Sequence, residues 1–410
     1  MRALAASFSV VARASTPEYA LSTPSIAVIG NRYILSFDEY RRDRTSPLCS
    51  AMIVVSDNNG VSWVLRHTMS SMHGRLFVVD GAVYYLGQAN DIVVARSTDC
   101  GESWSALVPL TEGQAWHQSA SNVLHTKDAV YLVMERRVTH IGDTWFVPWL
   151  APVLLRAQRG SNLLERQSWT MSGELPFCEL IPGYKQNQPM LDFFGVPFFA
   201  QQYPLYSHLG GGRKMHPIGW LEGNVIQILD PKHYWYDPDE RTFHIFLRAH
   251  TGGTGYAALL KVVQHLDGSM TPTLEVAPSG KRILFLPFPG GHLRFHVLYD
   301  KVTQLYWLLS NQATDSMSRI ESMPSLRSNL PNNERNRLAL HFSRNMVDWC
   351  FAGVVAITAN EVEVRTYPSM EIDQEDLLIA VRSGDRSSLD ARDVAMITMH
   401  RVRAFRKLVY

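Results

Sequence analysis

Two stretches of this chain repeat one frame. SDNNGVSW (56–63) and STDCGESW (97–104) each place a serine, an Asn or Asp two residues later, a glycine, a second serine and a tryptophan in the same order. Trp63 and Trp104 stand 41 residues apart (104 minus 63). An Asp or Asn side chain accepts backbone N–H bonds and closes a turn, glycine supplies a positive φ, and tryptophan buries a large apolar surface. One such stretch is an ordinary hairpin. Two copies a four-stranded blade apart are a structural repeat. SRNMVDW (343–349) and SNLLERQSW (161–169) read as decayed copies.

The rest of the chain agrees with that period. Short runs such as RYILSF, AMIVVS, DIVVARS, FHIFLRA, LYWLLSN and LLIAVRS are rich in Val, Ile, Leu, Phe and Tyr, with Gly, Asp, Asn and Pro between them. Helical periodicity is nearly absent. The pattern predicts an all-β chain, a six- or seven-bladed β-propeller, with residues 1–410 as a single domain because no composition break divides them.

Composition narrows the function classes. With 46% hydrophobic and 19% charged residues, the chain can bury a large core. Lys plus Arg (39) balance Asp plus Glu (38), which argues against nucleic acid as a partner. Cys49, Cys100, Cys178 and Cys350 are scattered, so neither a disulfide framework nor a thiolate metal site is expected. No apolar run is long enough for a membrane span. The opening MRALAASFSVVARAS has some features of a secretory leader, but SFSVVARA reads better as a first strand.

The repeated frame resembles the Asp-box, or BNR repeat, of the sialidase superfamily. The resemblance implies a sialidase-like propeller. In that family three arginines bind the substrate carboxylate, a tyrosine paired with a glutamate is the nucleophile, and an aspartate is the acid/base. Planar guanidinium groups pair bidentately with a carboxylate. YPSMEIDQEDLLIAVRSGD resembles the nucleophile segment and implies that role for Tyr367, and WLEGNVIQILD implies Glu222 as its base. FHIFLRAH offers Arg248 and NERNRLALHFS offers Arg337 (or Arg335) as carboxylate ligands. Where the family has Arg-Ile-Pro, this chain has Ser22, Thr23 and Pro24. The first arginine is missing, and Arg41, Arg42 and Arg44 lie just downstream. Asp43, or Asp38, is the candidate acid/base. The expected substrate is a glycan bearing a carboxylate sugar, cleaved by retaining hydrolysis without cofactor or metal.

Other clusters fit a different chemistry. His117 in GQAWHQSASNVLH as the base, with Tyr203, Tyr206 or Tyr256 and with Arg213 in LGGGRKMHP in support, suits a polysaccharide lyase. There a base removes the proton next to a uronate carboxylate and Arg neutralises the charge. GGHLRFH adds His292, Arg294 and His296, two of them candidate metal ligands but without a carboxylate beside them. Trp116, Trp145, Trp149 and Trp235 are candidates to stack on sugar rings. A non-catalytic glycan-binding propeller is the third reading.

Overall fold

A computed structural model describes residues 3–5, 7–43, 49–118, 120–138, 145–181, 207–208, 214–215, 218–250, 255–319, 322, 333–388 and 391–410. Six antiparallel sheets stand around an axis, each with its first strand innermost. The count resolves the expectation of six or seven blades at six. Blade 1 comprises Tyr19–Ile29, Arg32–Arg41, Cys49–Ser56 and Val64–Met69. Blade 2 comprises Met72–Val79, Ala82–Ala89, Asp91–Ser97 and Val108–Pro109. In blade 3 two short inner pieces, Trp116–His117 and Leu124–His125, pair with Ala129–Arg137, followed by Leu150–Gln158 and Trp169–Met171. Blade 4 has Gly219–Ile226, Thr242–His250, Tyr256–Gln264 and Met270–Thr273, and blade 5 has His296–Asp300, Leu305–Asn311, Arg337–Ser343 and Cys350–Ile357.

Blade 6 closes the ring. Arg365–Asp373, Asp376–Ser383 and Met396–Val402 come from the C-terminal part, and Phe8–Arg13 adds the outermost strand from the N-terminal part. The segment with leader-like features is therefore a strand, and its ladder ties the two ends of the chain together. Each sheet packs on a neighbour through both faces, so second strands are buried at consecutive positions and not at alternate ones. Leu305–Asn311 is buried at every position.

Six hydrophobic clusters fill the six blade interfaces. The repeated turns join third and fourth strands and pin each blade to the preceding one. In both close copies the glycine N–H donates to the first serine hydroxyl, Gly60 to Ser56 at 2.9 Å and Gly101 to Ser97 at 2.8 Å. The second serine's N–H donates to the Asn58 or Asp99 side chain at 2.9 Å. Gly101 has φ +88°, and a Cβ there would lie 2.9 Å from Ile34 of blade 1. Trp104 packs on the interface of blades 1 and 2, Trp63 on that of blades 6 and 1. The decayed copy keeps the logic with Met346 in the left-handed position (φ 65°), its N–H donating to Ser343.

A second set of contacts links the inner strands around the axis. Ser25 of blade 1 accepts from Leu76 N–H of blade 2, and Asn122 of blade 3 accepts from Val225 N–H of blade 4. Asn224 accepts from Val297 N–H, His296 from Met370 N–H, and Ser369 from Ile26 N–H. Five of six blades thus clip the next inner strand by one side chain at one level. Buried N–H groups at a strand edge require such partners.

Candidate functional site

Just above that level the inner strands break register in the same way. Pairing runs to Ser22↔Asp38, Met72↔Gln88, Leu221↔Arg248 and Thr366↔Arg382, then resumes at Ser25↔Ser36, Arg75↔Leu86, Asn224↔Phe246 and Ser369↔Ala380. Each break is a bulge with one extra residue. The residue after the break is left-handed in all four: Thr23 (φ 52°), His73 (56°), Glu222 (60°) and Tyr367 (54°). Positive φ costs a non-glycine residue about 1–3 kcal/mol and concentrates at functional sites. One backbone device, repeated by pseudo-symmetry, aims four chemically different side chains at the mouth of the propeller.

The second strands supply a matching set. Asp38, Gln88, Arg248 and Arg382 face the breaks, Glu135 pairs with His117 in blade 3, and Asn311 ends the second strand of blade 5. The structure brings Tyr367, Glu222 and Arg248 together. Arg248 Nη1 lies 3.4 Å from the Tyr367 hydroxyl and 3.4 Å from Glu222 Oε2, while its Nε donates to the His292 carbonyl at 3.0 Å. Trp145 stands 5.7 Å from the Arg248 guanidinium.

Three more guanidinium groups surround Tyr367. The Cζ atoms of Arg382, Arg335 and Arg294 lie 5.2, 5.7 and 5.8 Å from its ring centre. All four arginines are buried. Burial lowers Arg335 and Arg294 to about 10, still charged at neutral pH. Arg335 Nε donates to Asn333 at 3.1 Å, and Arg382 has the Asp393 carboxylate at 3.8 Å. Arg294 meets no acceptor among the described residues.

Three carboxyl groups differ in environment. Asp38 is buried, and its two oxygens accept the His73 N–H at 3.0 Å each. Burial raises it to about 8. Glu135 accepts the Gly223 N–H at 2.9 Å and is raised to about 8, by burial first and then by neighbouring Glu222. Glu222 alone has a guanidinium within 3.4 Å. His73 is lowered to about 4, chiefly by burial, and His117 falls well below its ordinary value for the same reason. The two imidazoles meet edge to face at 5.4 Å.

Other expected residues lie elsewhere. Arg41 and Asp43 pair with each other at 2.8 Å at the exposed end of their strand, so Asp38 is the aspartate at the mouth. Arg337 is bound to Glu334 at 2.5 Å, and Arg335 takes the place beside Tyr367. Tyr256 packs against the core of blades 3 and 4. Arg213, Arg44, Tyr203 and Tyr206 lie outside the described residues. Trp116 and Trp149 are buried in blade interfaces, and Trp235 stacks on His244 at 5.0 Å within blade 4. Arg382 went unassigned in the sequence, yet FLR at 246–248 and AVR at 380–382 end two second strands alike. Among the described residues no group of three or more His, Cys, Asp or Glu is placed to hold a metal, and no helix is long and apolar enough to cross a membrane.

These features define a six-bladed propeller of the sialidase-like fold, with a charged site at one mouth. The solved structures it resembles share that fold at low identity. A protein of unknown function from Dyadobacter fermentans is 12% identical with a TM-score of 0.54, over 97% of this chain and 98% of that one. The Trypanosoma rangeli sialidase in complex with sialic acid is 11% identical with a TM-score of 0.53, over 98% of this chain and 58% of that one. An α-L-arabinofuranosidase from Fusarium graminearum, bound to an iminosugar inhibitor, is 11% identical with a TM-score of 0.51, over 97% and 98%. Neither the family models nor the curated proteins match the sequence.

Proposed function

We propose that this chain is a retaining glycoside hydrolase acting on a sugar that carries a carboxylate. One observation carries the reading: four buried guanidinium groups, from Arg248, Arg294, Arg335 and Arg382, surround the left-handed Tyr367. Buried cations without compensating partners are costly, and a substrate anion balances them. Arg382, from blade 6, stands in for the arginine missing at Ser22 in blade 1. The sialidase and arabinofuranosidase neighbours support glycosidic chemistry on this fold, and the arginine cluster favours an acidic over a neutral sugar.

In the first step the Tyr367 oxygen bonds to the anomeric carbon as the glycosidic C–O bond breaks. The phenolic proton passes to Glu222, and the leaving oxygen takes a proton from Asp38, which burial keeps protonated at neutral pH. A tyrosine nucleophile avoids setting a carboxylate against an anionic sugar. Arg248 faces the negative charge that develops on the phenolic oxygen. Water then cleaves the tyrosyl–sugar bond, giving one proton to Asp38 as the departing phenolic oxygen takes its proton back from Glu222, with the anomeric configuration retained.

The test is turnover of aryl glycosides of acidic sugars beside neutral arabinofuranosides, with NMR of the first-formed anomer. Release from the acidic series with retention supports the proposal, and release from only the neutral series contradicts it. A second reading, lyase chemistry, is favoured by one observation: His117 is held neutral beside His73, as a base must be. It predicts an unsaturated product that disappears in His117→Ala.

A further inference from the structure

The ring of side-chain clips around the axis has one exception. In blade 2 the clip position holds Arg75, whose Nη2 donates to the Val133 carbonyl of blade 3 at 3.0 Å. Its Nε and Nη1 reach no acceptor among the described residues. In blade 5, across the axis, His296 stands at the same level. Its Nδ1 accepts the Met370 N–H at 2.5 Å, which puts the ring proton on Nε2, and Nε2 also lacks an acceptor. Two residues before that strand begins, all three guanidinium nitrogens of Arg294 likewise lack an acceptor among the described residues. These side chains are 1%, 4% and 0% exposed.

From this geometry we propose that the propeller axis carries an internal site for a small inorganic anion of the halide class, held by Arg75, Arg294 and His296. Six buried nitrogens (two of Arg75, three of Arg294, one of His296) are all donors, and five of them belong to two guanidinium cations. Glu135, the carboxyl that acts on Arg75, is raised to about 8 by burial and is mostly protonated at neutral pH. A water molecule would accept two hydrogen bonds and cancel no charge. A halide accepts from several donors at once and balances the guanidinium groups. A cavity of about 440 Å³ on the other side of this level reaches His296. Ser25, Asn122, His296 and Ser369 line its inner part, and Lys127 and Lys301 also line it, with Glu240 and Glu371 the acidic groups on its wall. The inference shares Arg294 with the glycosidase reading, while Arg75 and His296 lie outside it, so the bromide peak and glycoside turnover fail separately.

The experiment has two arms. Wild-type crystals soaked in sodium bromide are measured at the bromine edge, and an anomalous peak bounded by Arg75, Arg294 and His296 is expected. Thermal unfolding is followed at fixed ionic strength in sodium bromide, sodium chloride and sodium gluconate. A halide-dependent rise in Tm that saturates is expected in the wild type and is lost in Arg75→Met. No axial bromide peak would overturn the proposal, as would a halide effect of unchanged size in Arg75→Met. The crystal arm decides the matter even where Arg75→Met does not fold.

Discussion

Tyr367 and Glu222 share one nitrogen: Nη1 of Arg248 lies 3.4 Å from the phenolic oxygen of one and 3.4 Å from Oε2 of the other. Both residues sit in left-handed backbone at equivalent bulges of blades 6 and 4. A nucleophile and base acting as one unit are not additive. Tyr367→Phe and Glu222→Gln are each expected to lower kcat on an acidic aryl glycoside by about a thousandfold or more. The double variant is expected to lose no more than the worse single one. Multiplying losses would show that the two residues act separately.

In the proposed site Arg382 takes the place of the arginine missing at Ser22. Arg382→Gln removes a charge-assisted contact worth about 1.5–3 kcal/mol, so kcat/KM for an acidic glycoside is expected to fall roughly 10- to 100-fold. Turnover of a matched neutral glycoside is expected to stay the same or improve. Equal losses on both substrates would assign Arg382 a packing role only.

Asp38 and Asp43 separate cleanly. Asp38, raised to about 8 by burial, is protonated at neutral pH, so acid-assisted turnover is expected to fall as pH rises through about 8. Asp38→Asn is expected to lose about 10²- to 10⁴-fold on substrates with poor leaving groups, less on activated aryl glycosides, and to lack the alkaline limb. Asp43→Asn, at the exposed Arg41 pair, is expected to match the wild type. A pH profile for Asp38→Asn identical to the wild type would remove Asp38 from the mechanism.

Stability carries its own pH dependence. His73, His125 and His341 are lowered to about 4 and His400 to about 3, each chiefly by burial. Unfolded histidines bind protons below about 6.5, so the folded state loses stability as pH falls from there toward 4. Asp38 and Glu135, raised to about 8, and Glu371, raised to about 7, act in the other direction: they hold protons in the folded state that the unfolded chain releases. Their contribution is lost as pH rises from about 4 through 8. Between 4 and 6.5 the histidines outnumber the carboxyl groups, and above 6.5 only the carboxyl groups act. Urea midpoints are expected to peak near pH 6.5 (roughly) and fall on both sides. His400→Gln is expected to flatten the acid limb and Asp38→Asn the alkaline limb; unchanged slopes in both would contradict the assignment.

The sequence carried the architecture because a propeller repeats itself. The serine–Asp/Asn–glycine–serine–tryptophan turn joins the third and fourth strands of blades 1 and 2, with decayed copies in blades 3 and 5, and Trp63 and Trp104 mark one blade length. The site was legible where its segments resemble the family's: Tyr367, Glu222 and Arg248 could be placed from YPSMEIDQEDLLIAVRSGD, WLEGNVIQILD and FHIFLRAH, although the first two fall at bulges. Asp43 and Arg337 were chosen over Asp38 and Arg335 because the sequence does not announce which residue faces the axis. A one-residue bulge reverses the alternation of side chains along a strand. Arg382 and Arg294 escaped assignment because their neighbour, Tyr367, comes from a different strand or blade. The blade 6 ladder sets Arg382 beside Tyr367, and the closed ring brings in Arg294.

The central claim is that Tyr367 forms the covalent link to an acidic sugar. The most direct measurement is trapping with a mechanism-based fluorinated glycoside of an acidic sugar, followed by intact mass and peptide mapping. One adduct per chain on the peptide containing Tyr367, absent from Tyr367→Phe, is the expected result. An adduct on a carboxylate such as Glu135, or continued turnover by Tyr367→Phe, would contradict it.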